Sequence, residues 1–113
     1  MMRATSKDLR VYVTPEGKKP FDDWLLCLKD RSTINRILVR LNRLVLGNLG
    51  DVKSVGGGVS ELRLSFGSGY RVYFGIQGEK VVILLCGGDK SSQDKDIRLA
   101  KMYWEDFRRM NHV

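Results

Sequence analysis

VSELRLSFGSGYRVYFGIQGEKVVILLCGGDK, residues 59–90, decides the fold. Leu62, Leu64 and Phe66 alternate with Glu61, Arg63 and Ser65. Beyond Gly67, Ser68 and Gly69, the residues Tyr70, Val72, Phe74 and Ile76 alternate with Arg71, Tyr73 and Gly75. Side chains along a strand point to opposite faces in turn, so this pattern predicts two strands with one apolar face. The other face carries Glu61, Arg63, Arg71 and Tyr73. Gln77, Gly78 and Glu79 make a second turn into Val81, Val82, Ile83, Leu84 and Leu85. That run does not alternate, as expected of a central strand buried on both sides. The stretch is therefore a three-strand antiparallel meander, and its polar face is the expected seat of function.

Upstream, residues 7–14 alternate Leu9, Val11 and Val13 with Lys7, Arg10 and Tyr12, which predicts an edge or flanking strand. Pro20 opens a helix whose first turn holds Asp22 and Asp23. Phe21, Trp24, Leu25 and Leu28 form its apolar face. Asp30 caps a second helix with an apolar stripe of Ile34, Ile37, Leu38, Leu41, Leu44 and Val45, ended at Gly47 and Asn48. The two form a helical hairpin across the sheet. Arg36, Arg40 and Arg43 make a separate stripe, read plainly as a solvated face, with phosphates or an acidic partner protein as the other reading.

Residues 49–58 read as a loop that includes Lys53 and three glycines at 56–58. It lacks the Gly-Lys-Ser/Thr ending of a phosphate-binding loop, which excludes that form of nucleotide binding. Downstream of the meander, Ser91 with Asp94 predicts a capping box. The helix after it has Ile97, Ala100, Trp104 and Phe107 on one side, and its tail from Arg108 is expected to fray. The expected fold class is α+β: a small antiparallel sheet of the N-terminal strand plus the meander, the helical hairpin, and a C-terminal helix. The whole of residues 1–113 is expected to be one domain.

Twenty Lys plus Arg against 13 Asp plus Glu give net +7 and a pI near 9.7. The partner class this favours is a polyanion, nucleic acid first and an acidic protein second. There is no run of 18 apolar residues and no apolar leader at the N-terminus, so no membrane association is expected. Cys27 and Cys86 both sit in apolar patterns and are expected to be buried free thiols, consistent with a cytoplasmic location.

The chain has one histidine, His112, in the tail. No Ser-His-Asp triad, Cys-His pair or His-Cys metal set can be assembled, and no cofactor or metal is expected. What remains is a set of cations about the polar sheet face: Arg63, Arg71, Lys53 and Lys90, with Glu61 and Tyr73 among them. Arg63 and Arg71 fall side by side on neighbouring strands, where like charges repel unless an anion lies between them. Such a set suits RNA cleavage by the 2′-hydroxyl. Arginines stabilise charge on the phosphoryl oxygens, a carboxylate or neutral lysine takes the 2′ proton, and a lysine or tyrosine donates a proton to the leaving oxygen. On an open face, Arg71→Ala should change stability by no more than about 0.5 kcal/mol.

The strings FDDWLLCLKD, RLNRLVLGNLGDVKSVGGGVSELRL, GSGYRVYF and LLCGGDKSSQDKDIRLA, in this order, resemble the RelE/ParE toxin superfamily and within it the HigB-like addiction module killer group. The resemblance spans residues 21–103. It implies a compact α/β toxin paired with a helix-turn-helix antitoxin, operator DNA being bound only through that antitoxin. RelE- and HigB-like members cleave mRNA in the ribosomal A site without metal, whereas ParE-like members inhibit DNA gyrase without catalysis. Arg71 matches the arginine of the family's GYR motif. Glu61 and Arg63 match a basic pair on the preceding strand, so one of the two is acidic here. Lys90 matches the basic residue after the last strand. Ile97 stands where RelE-like toxins carry a cleavage tyrosine, so that Tyr73 or Tyr103 stands in or none does. The resemblance thus implies a metal-independent endoribonuclease with Arg71, Arg63, Lys90, Glu61 and Tyr73 in catalysis and Lys53, Arg63, Arg71 and Lys90 on RNA. A gyrase inhibitor is the alternative, and a degenerate toxin that only binds its antitoxin is a third reading.

Overall fold

The computed structural model describes residues 7–111. In chain order these form β1 (Asp8–Val11), α1 (Pro20–Cys27), α2 (Arg31–Val45), β2 (Val52–Gly56), β3 (Val59–Arg63), β4 (Arg71–Gln77), β5 (Val81–Gly88), a 3-10 turn (Lys90–Ser92) and α3 (Gln93–Asn111). The architecture is α+β, one five-stranded sheet in the order β1-β5-β4-β3-β2. The meander β3-β4-β5 is antiparallel, as its two short turns require. β1 differs from expectation: it lies parallel to β5, because the α1–α2 hairpin and β2–β4 intervene before the chain reaches that edge. Residues 49–58 are not a plain loop either. Val52–Gly56 pairs with β3 as an extra edge strand, with a register shift between Ser54 and Gly56.

The α1–α2 hairpin covers one face. Phe21, Leu25, Ile37, Leu41, Leu44 and Val45 pack there on Leu62, Leu64, Val72, Phe74, Val82 and Leu84. These are the apolar positions of the two helical stripes and of the alternating strands. Gly47, at φ +98°, ends α2 as expected.

The expected open polar face is covered. Ala100 and Trp104 of α3 pack on Val59, Tyr73, Ile83, Leu85 and Cys86, so the sheet is sandwiched between helices. Two strand glycines make room for indole rings. A methyl group at Gly75 would fall 2.5 Å from the Trp104 ring, and one at Gly87 would fall 2.2 Å from Trp24 on the other face. A bulge in β5 adds to this: Tyr73 pairs with Cys86 and Phe74 with Leu84, which leaves Leu85 as the extra residue, and Leu85 and Cys86 both enter the α3 side. The hydroxyl of Tyr12 donates to Asp106 at 2.6 Å and its ring stacks on Tyr103, tying the end of α3 to the β1 edge. Tyr12, just beyond β1, is buried on the α3 side, while of the expected apolar face Val11 packs on the hairpin-side core and Leu9 and Val13 are exposed.

Three smaller expectations also change. Asp89 rather than Ser91 is the cap, accepting from Ser91 N–H, in a reciprocal box with Ser92. Cys27 is exposed, on the side of α1 away from the sheet, and only Cys86 is buried; both are free thiols. α3 stays helical through Asn111, while His112, Val113 and the first six residues, where no leader was expected, lie outside the described residues. Among the described residues no helix is long and apolar enough to cross a membrane.

Candidate active site

Each sequence-predicted residue is placed by the meander or by the turn after it. Glu61 lies in mid β3, opposite Tyr73 of β4 in the ladder, and Arg63 lies opposite Arg71. Glu61 and Tyr73 have no exposed surface at all, since α3 closes over them. The Tyr73 hydroxyl donates to Glu61 Oε2 at 3.0 Å. Burial first, and then this bond to a carboxylate, push the Tyr73 phenol well above its usual range. Arg71, with its side chain 11% exposed, reaches the same carboxylate: its Nε stands 3.6 Å from Glu61 Oε2. That is an ion pair but too long for a hydrogen bond. Its Nη1 donates to the Gly69 carbonyl at 2.7 Å, which holds the guanidinium against the β3–β4 turn.

Lys90 approaches the same turn from the other side. The Ser68 hydroxyl donates to Asp89 at 3.3 Å, and the Lys90 N–H points to the Ser68 carbonyl at 3.5 Å. A methyl group at Gly69 would fall 3.3 Å from Arg71 Nη1 and 3.4 Å from Lys90 Cβ, so Gly69, at φ +78°, both makes the turn and lets the Arg71 guanidinium and the base of the Lys90 side chain approach it. Asp89 anchors the lysine-bearing turn. Its hydrogen bond from the Ser91 hydroxyl, the largest of several causes, holds its carboxyl below the usual range.

Arg71, Lys90, Glu61 and Tyr73 are therefore brought together, with Glu61 and Tyr73 beneath and Arg71 and Lys90 at the rim. Arg63 adjoins Arg71 through the ladder, but its guanidinium leans over the sheet edge to Asp51 at 3.1 Å. Both of those side chains are largely in water, so this bridge is weak. Lys53 sits opposite Glu61 on exposed β2 and makes no side-chain bond with the described residues. Among the described residues three buried polar atoms lack hydrogen-bond partners: Glu61 Oε1, Arg71 Nε and Arg63 Nε. All three belong to one corner of the sheet, the corner that also carries Lys90 on the adjoining turn.

The residue that sequence reasoning missed is Gln93. Its side-chain amide donates to Glu61 Oε2 at 2.9 Å, fixing the carboxylate from α3. The signal was present: Gln93 continues the stripe of Ile97, Ala100 and Trp104 backward by one turn. Asp96, also buried, accepts from the Ser92 hydroxyl, and burial raises its carboxyl above the usual range. Ile97 and Tyr103 are half-buried against the α3-side core; the Tyr103 phenol is also raised by burial.

The residues at 23–106 match the family model of phage-derived Gp49-like proteins (DUF891). An uncharacterised protein of Haemophilus influenzae (strain ATCC 51907 / DSM 11121 / KW20 / Rd) is 55% identical over 82 residues, covering 73% of this chain and 83% of that one. No solved structure matches. The family match spans most of α1, all of α2, the meander and most of α3, and so takes in every residue of the rim and the carboxylate beneath it: the chain belongs to the phage-derived Gp49-like family (DUF891).

Proposed function

We propose that this protein is the toxin of a toxin–antitoxin pair and that it stops translation by cleaving mRNA on the ribosome. The Gp49-like family is associated with toxins of such systems, RelE-like ones among them. The observation that carries the endonuclease reading is Arg71: a guanidinium held by a buried carboxylate and a turn carbonyl, at a rim it shares with Lys90.

In this reading the scissile phosphate sits between Arg71 and Lys90. The 2′-hydroxyl gives up its proton to solvent water as it attacks phosphorus, the bond to the 5′-oxygen breaks, and a 2′,3′-cyclic phosphate forms. Arg71 stabilises the charge growing on the non-bridging oxygens. Lys90 donates a proton to, or hydrogen-bonds, the departing 5′-oxygen. Arg63 leaves its weak bridge to Asp51 for an adjoining phosphate, and Lys53 takes one further along. Glu61 and Tyr73 have no surface, so they serve from beneath, with Gln93, by holding Arg71 in place. The chemistry uses no metal. The partners are mRNA in the ribosomal A site and a helix-turn-helix antitoxin, and the place of action is the cytoplasm.

The test is pulse labelling after induction of the chain alone. Protein synthesis should fall first, with cleaved mRNA ending in 2′,3′-cyclic or 3′-phosphate, and cleavage should persist in a chelator when ribosome integrity is controlled. A fall in DNA synthesis with translation continuing would reject this reading and make gyrase the target.

A further inference from the structure

Beside the candidate active site, between α2 and the end of β3, lies an open groove of about 920 Å³. Five arginines line it: Arg31, Arg36, Arg40 and Arg43 from α2, and Arg63 from β3. One carboxylate, Asp51, faces them. The segment Arg31–Val45 contains no acidic residue, so Arg36, Arg40 and Arg43 share one face of the helix, with Arg31 in its first turn, and nothing on that helix offsets their repulsion. Two of the five are held by hydrogen bonds or an ion pair. Arg40 clasps the carbonyls of Asn48 and Leu49, and Arg63 bridges to Asp51. The side chains of Arg31 and Arg43 are exposed and make no hydrogen bond or ion pair with the described residues. Within the groove lie Val39, which is 51% exposed, Leu64 and Phe66.

We propose that this groove docks an acidic amphipathic helix of a partner protein. The apolar lining is mainly aliphatic, which suits leucine-like side chains at one-turn spacing. Single-stranded nucleic acid would instead need a free aromatic face for its bases. Phe66 does not offer one: the Arg36 guanidinium lies 3.9 Å over its ring and Tyr70 packs against it edge-on at 5.7 Å. Arginines rimming an aliphatic floor complement carboxylates flanking an apolar stripe. The span from Arg31 to Arg43 is about 18 Å, the length of a three-turn helix. The proposal does not depend on the catalytic role given to Arg71.

The probe is a stapled helical peptide of about 16 residues with leucines on one face and glutamates elsewhere, followed by fluorescence anisotropy in about 0.1 M salt. It should bind saturably. Arg36→Glu combined with Arg43→Glu should weaken it about tenfold or more, and Val39→Asp should do the same by spoiling the floor. All three positions are exposed, and circular dichroism would verify that the variants are folded. The same peptide with serines in place of leucines should lose binding. Absence of saturable binding, equal binding by the serine peptide, indifference to either set of substitutions, or ready displacement by oligouridylate would each overturn the proposal.

Discussion

Arg71→Ala should unsettle the fold as well as the activity. The sequence places Arg71 on an open face, where its loss would be nearly neutral; the structure places it against Glu61, a carboxylate with no exposed surface. Removing the guanidinium leaves that charge buried. Breaking a buried ion pair from one side costs about 3–5 kcal/mol. Here Tyr73 and Gln93 still donate to the carboxylate and the pair is 3.6 Å apart, which argues for the low end of that range. A loss of about 3 kcal/mol is expected, which for a chain of this size lowers Tm by about 12 °C. Adding Glu61→Gln removes the stranded charge, so the double variant should recover at least half of the loss. Activity should not recover, because the phosphate contact is still missing, a deficit on the order of a hundredfold or more. Arg71→Lys should fall between, since an ammonium restores charge but not the planar two-point contact. Thermal and urea unfolding measure the first effect and a translation assay the second. If Arg71→Ala unfolds within about 0.5 kcal/mol of wild type, or the double variant is no more stable than the single one, the carboxylate is not being held by Arg71 and the account of the site is wrong.

Gly75→Ala should destabilise by about 1–3 kcal/mol and shift the tryptophan emission, because the added methyl would fall 2.5 Å from a Trp104 ring that is itself buried; unchanged unfolding would mean that α3 is not seated there. A thiol reagent at pH 8 should modify Cys27 quickly in the native protein and Cys86 only after denaturant, since burial both shields the Cys86 thiol and pushes it up to about 12; two equal fast phases would contradict this. Asp96 has a folded-state affinity for its proton above the unfolded one, so its contribution favours the fold below the usual carboxylate range and is lost as pH rises through the raised value. The stability difference between Asp96→Asn and wild type should therefore shift in favour of the variant as pH rises from acid toward neutral, and a pH-independent difference would refute it.

The alternation around residues 59–90 and the helical stripes at 21–28 and 34–45 were sufficient for the meander and the hairpin, because the period of a pattern is a local property. The same patterns told which residues share a face, and so grouped Glu61, Arg63, Arg71 and Tyr73 correctly. They could not tell what would land on that face. Its cover, α3, arrives from more than thirty positions away: Gln93 meets Glu61 across 32 residues, and Tyr12 meets Asp106 across 94. An alternating polar strand looks alike whether water or a helix lies above it, and only the closing of that helix turns Glu61 and Tyr73 from surface groups into a buried support for Arg71. Gly75 reads in sequence only as one position of an alternating strand, and only packing shows Gly75 and Gly87 to be seats for Trp104 and Trp24. The parallel pairing of β1 and the arginine groove belong to the same class. Strand order and concavity depend on where separate segments meet, and a periodic pattern within one segment carries no information about the partner it will find.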